Sequence, residues 1–156
     1  MGAILEYYFF EPQGRRLPDL RSDDILRECG STGVAPTLEP VVFDLRTKQF
    51  SEQTANVVEA WVKVVGEFQD GLSINSHRVA DFEVAMRAAG LEQMLWRPDI
   101  HAKAEDVISF GWVDLAEIPT LIAAAVAGDR SPEVEDVLEI LRDAEWAQRS
   151  IGTIWG

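Results

Sequence analysis

The chain has 156 residues, with 14 Lys and Arg against 27 Asp and Glu, a formal net charge of −13. That charge excludes nucleic-acid binding through a general basic surface, which needs cations to neutralise phosphates, and it repels anionic membranes while attracting cationic partners. Apolar residues make up 47% and charged residues 26%, which excludes a disordered chain and predicts one globular domain over residues 1–156 with no need of a disulfide or metal staple.

The charge is uneven. Residues 1–78 hold 8 basic and 12 acidic side chains, residues 79–156 hold 6 and 15. Either the acids keep the protein dissolved or they draw in a cationic partner. Cys29 is the single cysteine, so no internal disulfide forms, as in a reducing compartment. The start MGAILEYYFF carries Glu6 and no basic run, unlike a signal peptide. The longest apolar stretch, residues 121–127, is too short to span a bilayer. The expected location is the cytoplasm.

Residues 3–10 (AILEYYFF) read as a buried strand. A Pro/Gly loop follows over 11–21. It carries Arg15, Arg16 and Arg21, which either hold an anion or, as favoured here, tie the loop to the acidic body. Ser22 caps a short helix that stops at Gly30, GSTGVAP is loop, and residues 40–45 (PVVFDL) read as a second strand. Ser51 caps the strongest helical pattern, with Val57, Val58, Trp61, Val62, Val65 and Phe68 at three- and four-residue steps. That periodicity predicts a helix to about Gln69, ended by Asp70-Gly71, with a short strand at 72–74.

Asn75 or Ser76 caps a helix over 77–89 that buries Val79, Phe82, Met86 and Ala89 and stops at Gly90. LEQMLWRPDI is ambiguous, and Pro98 breaks it. Residues 107–113 (VISFGWV) read as a strand with a bulge at Gly111. Asp114 and Glu117 resemble a helix start, and the helix either bends at Pro119 or begins there. Residues 121–127 are apolar all round, which predicts a central, buried helix. Ser131, Pro132 and Glu133 open the last helix, paired antiparallel with its predecessor across a short loop. The expected fold is α+β: a small sheet packed against several helices, with a helical C-terminal third ending in an antiparallel helix pair.

On the last helix Val134, Val137, Leu138 and Leu141 form the core stripe. At about 100° per residue, Trp146 then falls about 120° from Val134, between Glu135 and Glu139 and beside Asp143. An indole among carboxylates suits capture of a basic protein through buried area, cation–π contact and ion pairs. Glu135, Glu139, Asp143 and Trp146 are therefore the candidate partner-binding residues. The competing arrangement has the tail SIGTIWG folding back over Trp146, or the helix fraying before it. Glu145 on the core stripe suggests an early end or a rim position.

Catalytic motifs are absent. GSTG lacks the length and Lys-Ser/Thr pair of a P-loop, and no GxSxG elbow occurs. Cys29 sits at a predicted helix end, where the dipole disfavours a thiolate. His77 with Asp81, and Asp99 with His101, Glu105 and Asp106, offer two halves of a metal or acid–base site, a pattern an acidic chain produces by chance. Neither a cofactor nor a catalytic residue is expected. The leading expectation is a non-catalytic protein-binding domain, an acidic inhibitor of the bacterial immunity-protein kind that neutralises a basic, nuclease-like toxin. The alternatives are a small enzyme or ligand- or metal-binding domain using His77 or His101, and a regulatory or structural homodimer subunit joined through its Trp-rich C-terminus.

Overall fold

A computed structural model describes residues 2–20, 43–44, 49–50, 53–100, 102–103, 108–128 and 131–156. The predicted helix over 22–30, the GSTGVAP loop, Arg21, Cys29, Ser51 and His101 lie outside these residues. The fold is α+β, as expected. Its centre is a four-stranded antiparallel sheet in the order β5-β1-β8-β7, with β1 at Ala3–Phe10, β5 at Glu67–Ile74, β7 at Ser109–Val113 and β8 at Ser150–Trp155. Two short pairs stand apart from it: β2 (Phe43–Asp44) with β3 (Gln49–Phe50), antiparallel, and β4 (Gln53–Thr54) with β6 (Ala102–Lys103), parallel.

Alternation along the strands sends side chains to two opposite cores. Leu5 and Phe9 of β1, Ile151 and Trp155 of β8 and Val113 of β7 join one cluster with three helices. These are α2 (Val79–Ala88), α3 (Ile118–Ala127) and α4 (Pro132–Ala147). Tyr8, Phe10, Ile154, Phe110 and Trp112 join the other, beneath α1 (Ala55–Val65). There Phe10 stacks on Trp61 with ring centroids 5.3 Å apart and 11° between planes.

The predicted helix to Gln69 is too long. It ends at Val65, and Glu67 begins an eight-residue strand that contains the supposed helix stop Asp70-Gly71. Gly66 explains the break, since a Cβ there would lie 2.5 Å from the Val62 carbonyl oxygen and 2.6 Å from Phe10 Cζ. The chain presses against β1 at that point and leaves the helical path. Val65 and Phe68 extend the sequence periodicity but not the buried face; Phe68 is 59% exposed.

Three further expectations change. Of the strand predicted over 107–113, Ser109–Val113 is β7 and runs unbroken through Gly111, and the register shift lies instead between Tyr7 and Tyr8, opposite β5. Gly111 is small because a neighbour approaches, with the Gln93 carbonyl oxygen 2.5 Å from the place of a Cβ. The apolar run 121–127 is not central. In α3 only Ile118 and Ala125 are buried, because the helix docks one side on α4 and turns small residues outward. Last, the tail SIGTIWG does not fold over Trp146. It is β8, an inner strand between β1 and β7.

Several local readings hold. Gly90 adopts φ +76 just past α2, the left-handed stop that glycine permits. Asp114 and Glu117 form a capping box around a 3-10 turn, Leu115–Glu117, and α3 follows with Pro119 in its first turn. That combines the two possible starts. The Ser131 hydroxyl accepts from the Val134 amide at 3.3 Å to open α4, and α3 and α4 form the expected antiparallel pair.

Candidate protein-binding face

α4 keeps its helical form to Ala147, so the positions deduced from 100° spacing apply to its whole length. Val134, Val137, Leu138, Leu141 and Ala144 are buried against the sheet. Glu135, Glu139, Asp143 and Trp146 follow one another at steps of four, four and three residues, which places them on one ridge. Glu139 and Asp143 are exposed, Glu135 is partly buried, and Trp146 is 89% exposed. Glu145 occupies the rim, as its angle suggested.

The tail leaves this ridge open. Gln148 takes a left-handed conformation, φ 56 and ψ 50, and its amide donates back to the carbonyls of Ala144 and Glu145. The chain then reverses into β8. Arg149 secures the reversal by pairing with Glu67 at 3.1 Å and Glu11 at 3.5 Å. The second tail indole, Trp155, is buried at 6% exposure and donates to Glu83 Oε1 at 3.0 Å. That indole therefore belongs to the core beside Phe82.

Two residues that the sequence reading missed belong beside the ridge. Tyr7 of β1 stands opposite Asp70 of β5. Partial burial, and after it the charges of Asp70, Asp143 and Glu139, push the Tyr7 phenol above its ordinary range. All three carboxylates thus act on one hydroxyl, and the acidic field runs from the helix onto the sheet edge. Nothing in the sequence marked this, because residue 70 was assigned to a helix end.

The other candidates disperse. His77 and Asp81 are both exposed. No group of three or more metal-ligating side chains occurs among the described residues. His101, Glu105 and Asp106 lie outside them. Asp99 instead binds Arg97, at 2.6 Å to Nη2, and that guanidinium holds its carboxyl below the usual range. Arg16 is a tie rather than an anion receptor: Nε donates to Asp114 Oδ1 at 3.0 Å and Oδ2 at 2.8 Å. Trp112 Nε1 donates to Asp114 Oδ1 as well, at 2.7 Å.

An open cleft of about 580 Å³ lies beyond α2, lined in part by Arg87, Glu92, Trp96 and Arg97. Its cations are already engaged, Arg87 with Glu92 at 3.2 Å and Arg97 with Asp99. No described helix is long and apolar enough to cross a membrane. Comparison with protein-family models, curated proteins and solved structures gave no match to this chain.

Proposed function

We propose that this chain is a non-catalytic protein-binding domain that captures a basic protein on the outer ridge of α4. A single observation carries this reading: the Trp146 indole stands 89% exposed on the ridge that bears Glu139 and Asp143, away from the tail. A ring so exposed stabilises no core of its own chain. In a complex it would supply apolar area and a cation–π face, while the carboxylates pair with Lys or Arg. The net charge of −13 supports the same partner chemistry, since the long-range field speeds encounter with a cation. The particular role proposed is that of an acidic inhibitor which occludes a basic, nuclease-like toxin, in the manner of a bacterial immunity protein.

The test begins with affinity capture from the native host and identification of the co-purifying protein. The purified pair is then measured with wild type and with a Trp146→Ala, Glu139→Lys variant. A loss of affinity in a folded variant is the expected result. An unchanged affinity would remove this face from the function.

A further inference from the structure

The two edges of the four-stranded sheet differ. On the β7 side the segment after α2 occupies the edge. The Arg97 amide donates to the Phe110 carbonyl at 3.1 Å, and Gln93 Nε2 and Arg97 Nη1 reach the Trp112 carbonyl at 3.4 and 3.3 Å. On the β5 side no hydrogen bond from another described segment reaches the outer backbone. The polar contact there is its own, from the Gly71 amide to Asp70 Oδ1 at 2.8 Å.

The direction of the outer groups follows from the register. Ile4 exchanges both backbone hydrogen bonds with Gly156, so Ile4 faces β8. Its alternate neighbours Ala3, Leu5 and Tyr7 then face β5, where they meet Ile74, Leu72 and Asp70. Gly71 and Ser73 lie between those residues and turn their amides and carbonyls outward.

The two faces of this edge have different chemistry. On the side of α4 are Asp70 and, beyond Tyr7, the exposed Asp143 and Glu139. On the opposite side are Phe68 at 59% exposure and Ile4 at 45%, with Glu6 between them accepting from the Tyr8 hydroxyl at 2.9 Å. Ile4 leans over Gly71, where a Cβ would stand 3.0 Å from Ile4 Cγ2. An edge strand is a template for strand addition unless charge, covering or a bulge guards it, and the register shift that leaves Gln69 without a partner in β1 makes Asp70–Ile74 the regular stretch of this edge. Residues 67–74 contain Glu67, which is paired with Arg149, and Asp70, so the charge of Asp70 disfavours a second copy of the same edge and favours a cationic chain.

We infer that β5 accepts an extended cationic segment of the partner as a fifth strand, with basic side chains toward Asp70, Asp143 and Glu139 and apolar side chains toward Phe68 and Ile4. This inference rests on the proposed function and adds to it the form of the recognised element: a chain alternating basic and apolar residues. Backbone pairing supplies affinity, and the alternation supplies specificity.

The probe is a short capped peptide alternating lysine and valine. Binding is measured by titration, and amide hydrogen exchange locates it. Slowed exchange at Gly71 and Ser73 is expected. The same peptide with alternate backbone N-methyl groups, and the protein variant Ser73→Pro, should each bind at least about tenfold more weakly, because the first removes donors of the peptide and the second a donor of the edge, neither changing charge. Asp143→Lys should also weaken binding. Equal binding of the methylated peptide would overturn strand addition while leaving the α4 ridge intact, and so would failure of the unmodified peptide to bind. A peptide-free dimer that protects Gly71 and Ser73 would overturn it in favour of self-pairing. Failure of the proposed function is a separate outcome, read from a partner indifferent to Trp146→Ala with Glu139→Lys.

Discussion

Tyr7 and Asp70 face each other across the β1–β5 ladder, one step from the register shift that separates Tyr7 from Tyr8. Their closeness ties the sheet edge to α4 electrically, because Asp143 and Glu139 act on the same phenol. The chain has two tyrosines, and both phenols are raised. Burial is the first cause for each; at Tyr8 the hydrogen bond to Glu6 Oε2, 2.9 Å, comes next. A phenol raised in the folded state binds its proton more tightly there than in the unfolded chain. Its contribution is therefore intact below the ordinary tyrosine range near pH 10 and lost as pH rises beyond it. Titration of phenolate absorbance should show two late ionisations, with stability falling over the same alkaline window. Asp70→Asn and Asp143→Asn should each bring the Tyr7 ionisation to lower pH. An unmoved titration in both variants would separate Tyr7 from the acidic field.

At Gly111, β7 lies close against the turn Glu92–Met94. Its place for a Cβ lies 2.4 Å from Thr153 Oγ1 and 2.5 Å from the Gln93 carbonyl oxygen. The carbonyl is backbone and cannot rotate away. Gly111→Ala should therefore destabilise by about 1–3 kcal/mol, the usual cost of overpacking. Thr153→Val keeps the shape but loses two hydrogen bonds, donated to the Met94 carbonyl at 2.5 Å and accepted from the Gly111 amide at 3.0 Å. With both partners buried, a similar cost of about 1–3 kcal/mol is expected. Urea unfolding of each variant gives the comparison directly.

These contacts also mark what the sequence conveyed and what it withheld. Helix ends were legible where one residue type has one physical role, as with Ser131 accepting at the start of α4 and Gly90 taking positive φ after α2. The ridge from Glu135 to Trp146 was legible because a helix converts spacing into direction. The strand at Glu67–Ile74 was hidden by Val65 and Phe68, which continue a helical period although the chain has already turned at Gly66. Strand β8 was hidden by its small and polar positions. Ser150, Gly152 and Thr153 look like loop residues, yet all are buried, and Gly152 leaves room for Phe10 and Trp112. The site was incomplete for the same reason: Tyr7 and Asp70 join α4 only through long-range pairing, which local periodicity does not encode.

The two C-terminal indoles should respond in opposite ways. Trp155 is buried, tilts against Phe82 with centroids 5.3 Å apart and donates to Glu83. Trp155→Ala should cost about 3–5 kcal/mol, as large-to-small core changes do. Trp146→Ala should leave the thermal midpoint near that of the parent, because the ring touches little of its own chain. Deleting residues 150–156 removes an inner strand and should abolish cooperative unfolding rather than yield a folded monomer. Circular dichroism melts distinguish these outcomes. A large loss of stability in Trp146→Ala would mean that the exposed ring has a structural duty instead.

Salt provides a test of the α4 ridge that needs no mutation. Exposed charges interact over about 8 Å at physiological ionic strength and over about 3 Å at 1 M. Glu139 and Asp143 are exposed, so their pull on an approaching cation should fade across this range, while contacts already buried against Trp146 persist. Association with the true partner should therefore slow steeply with added salt, and dissociation should change much less. Glu139→Lys should flatten the salt dependence of association and Trp146→Ala should speed dissociation, both measurable by surface plasmon resonance. The division is informative because in a purely electrostatic complex salt would slow association and speed dissociation together, and a purely apolar one would show no salt dependence of its on-rate.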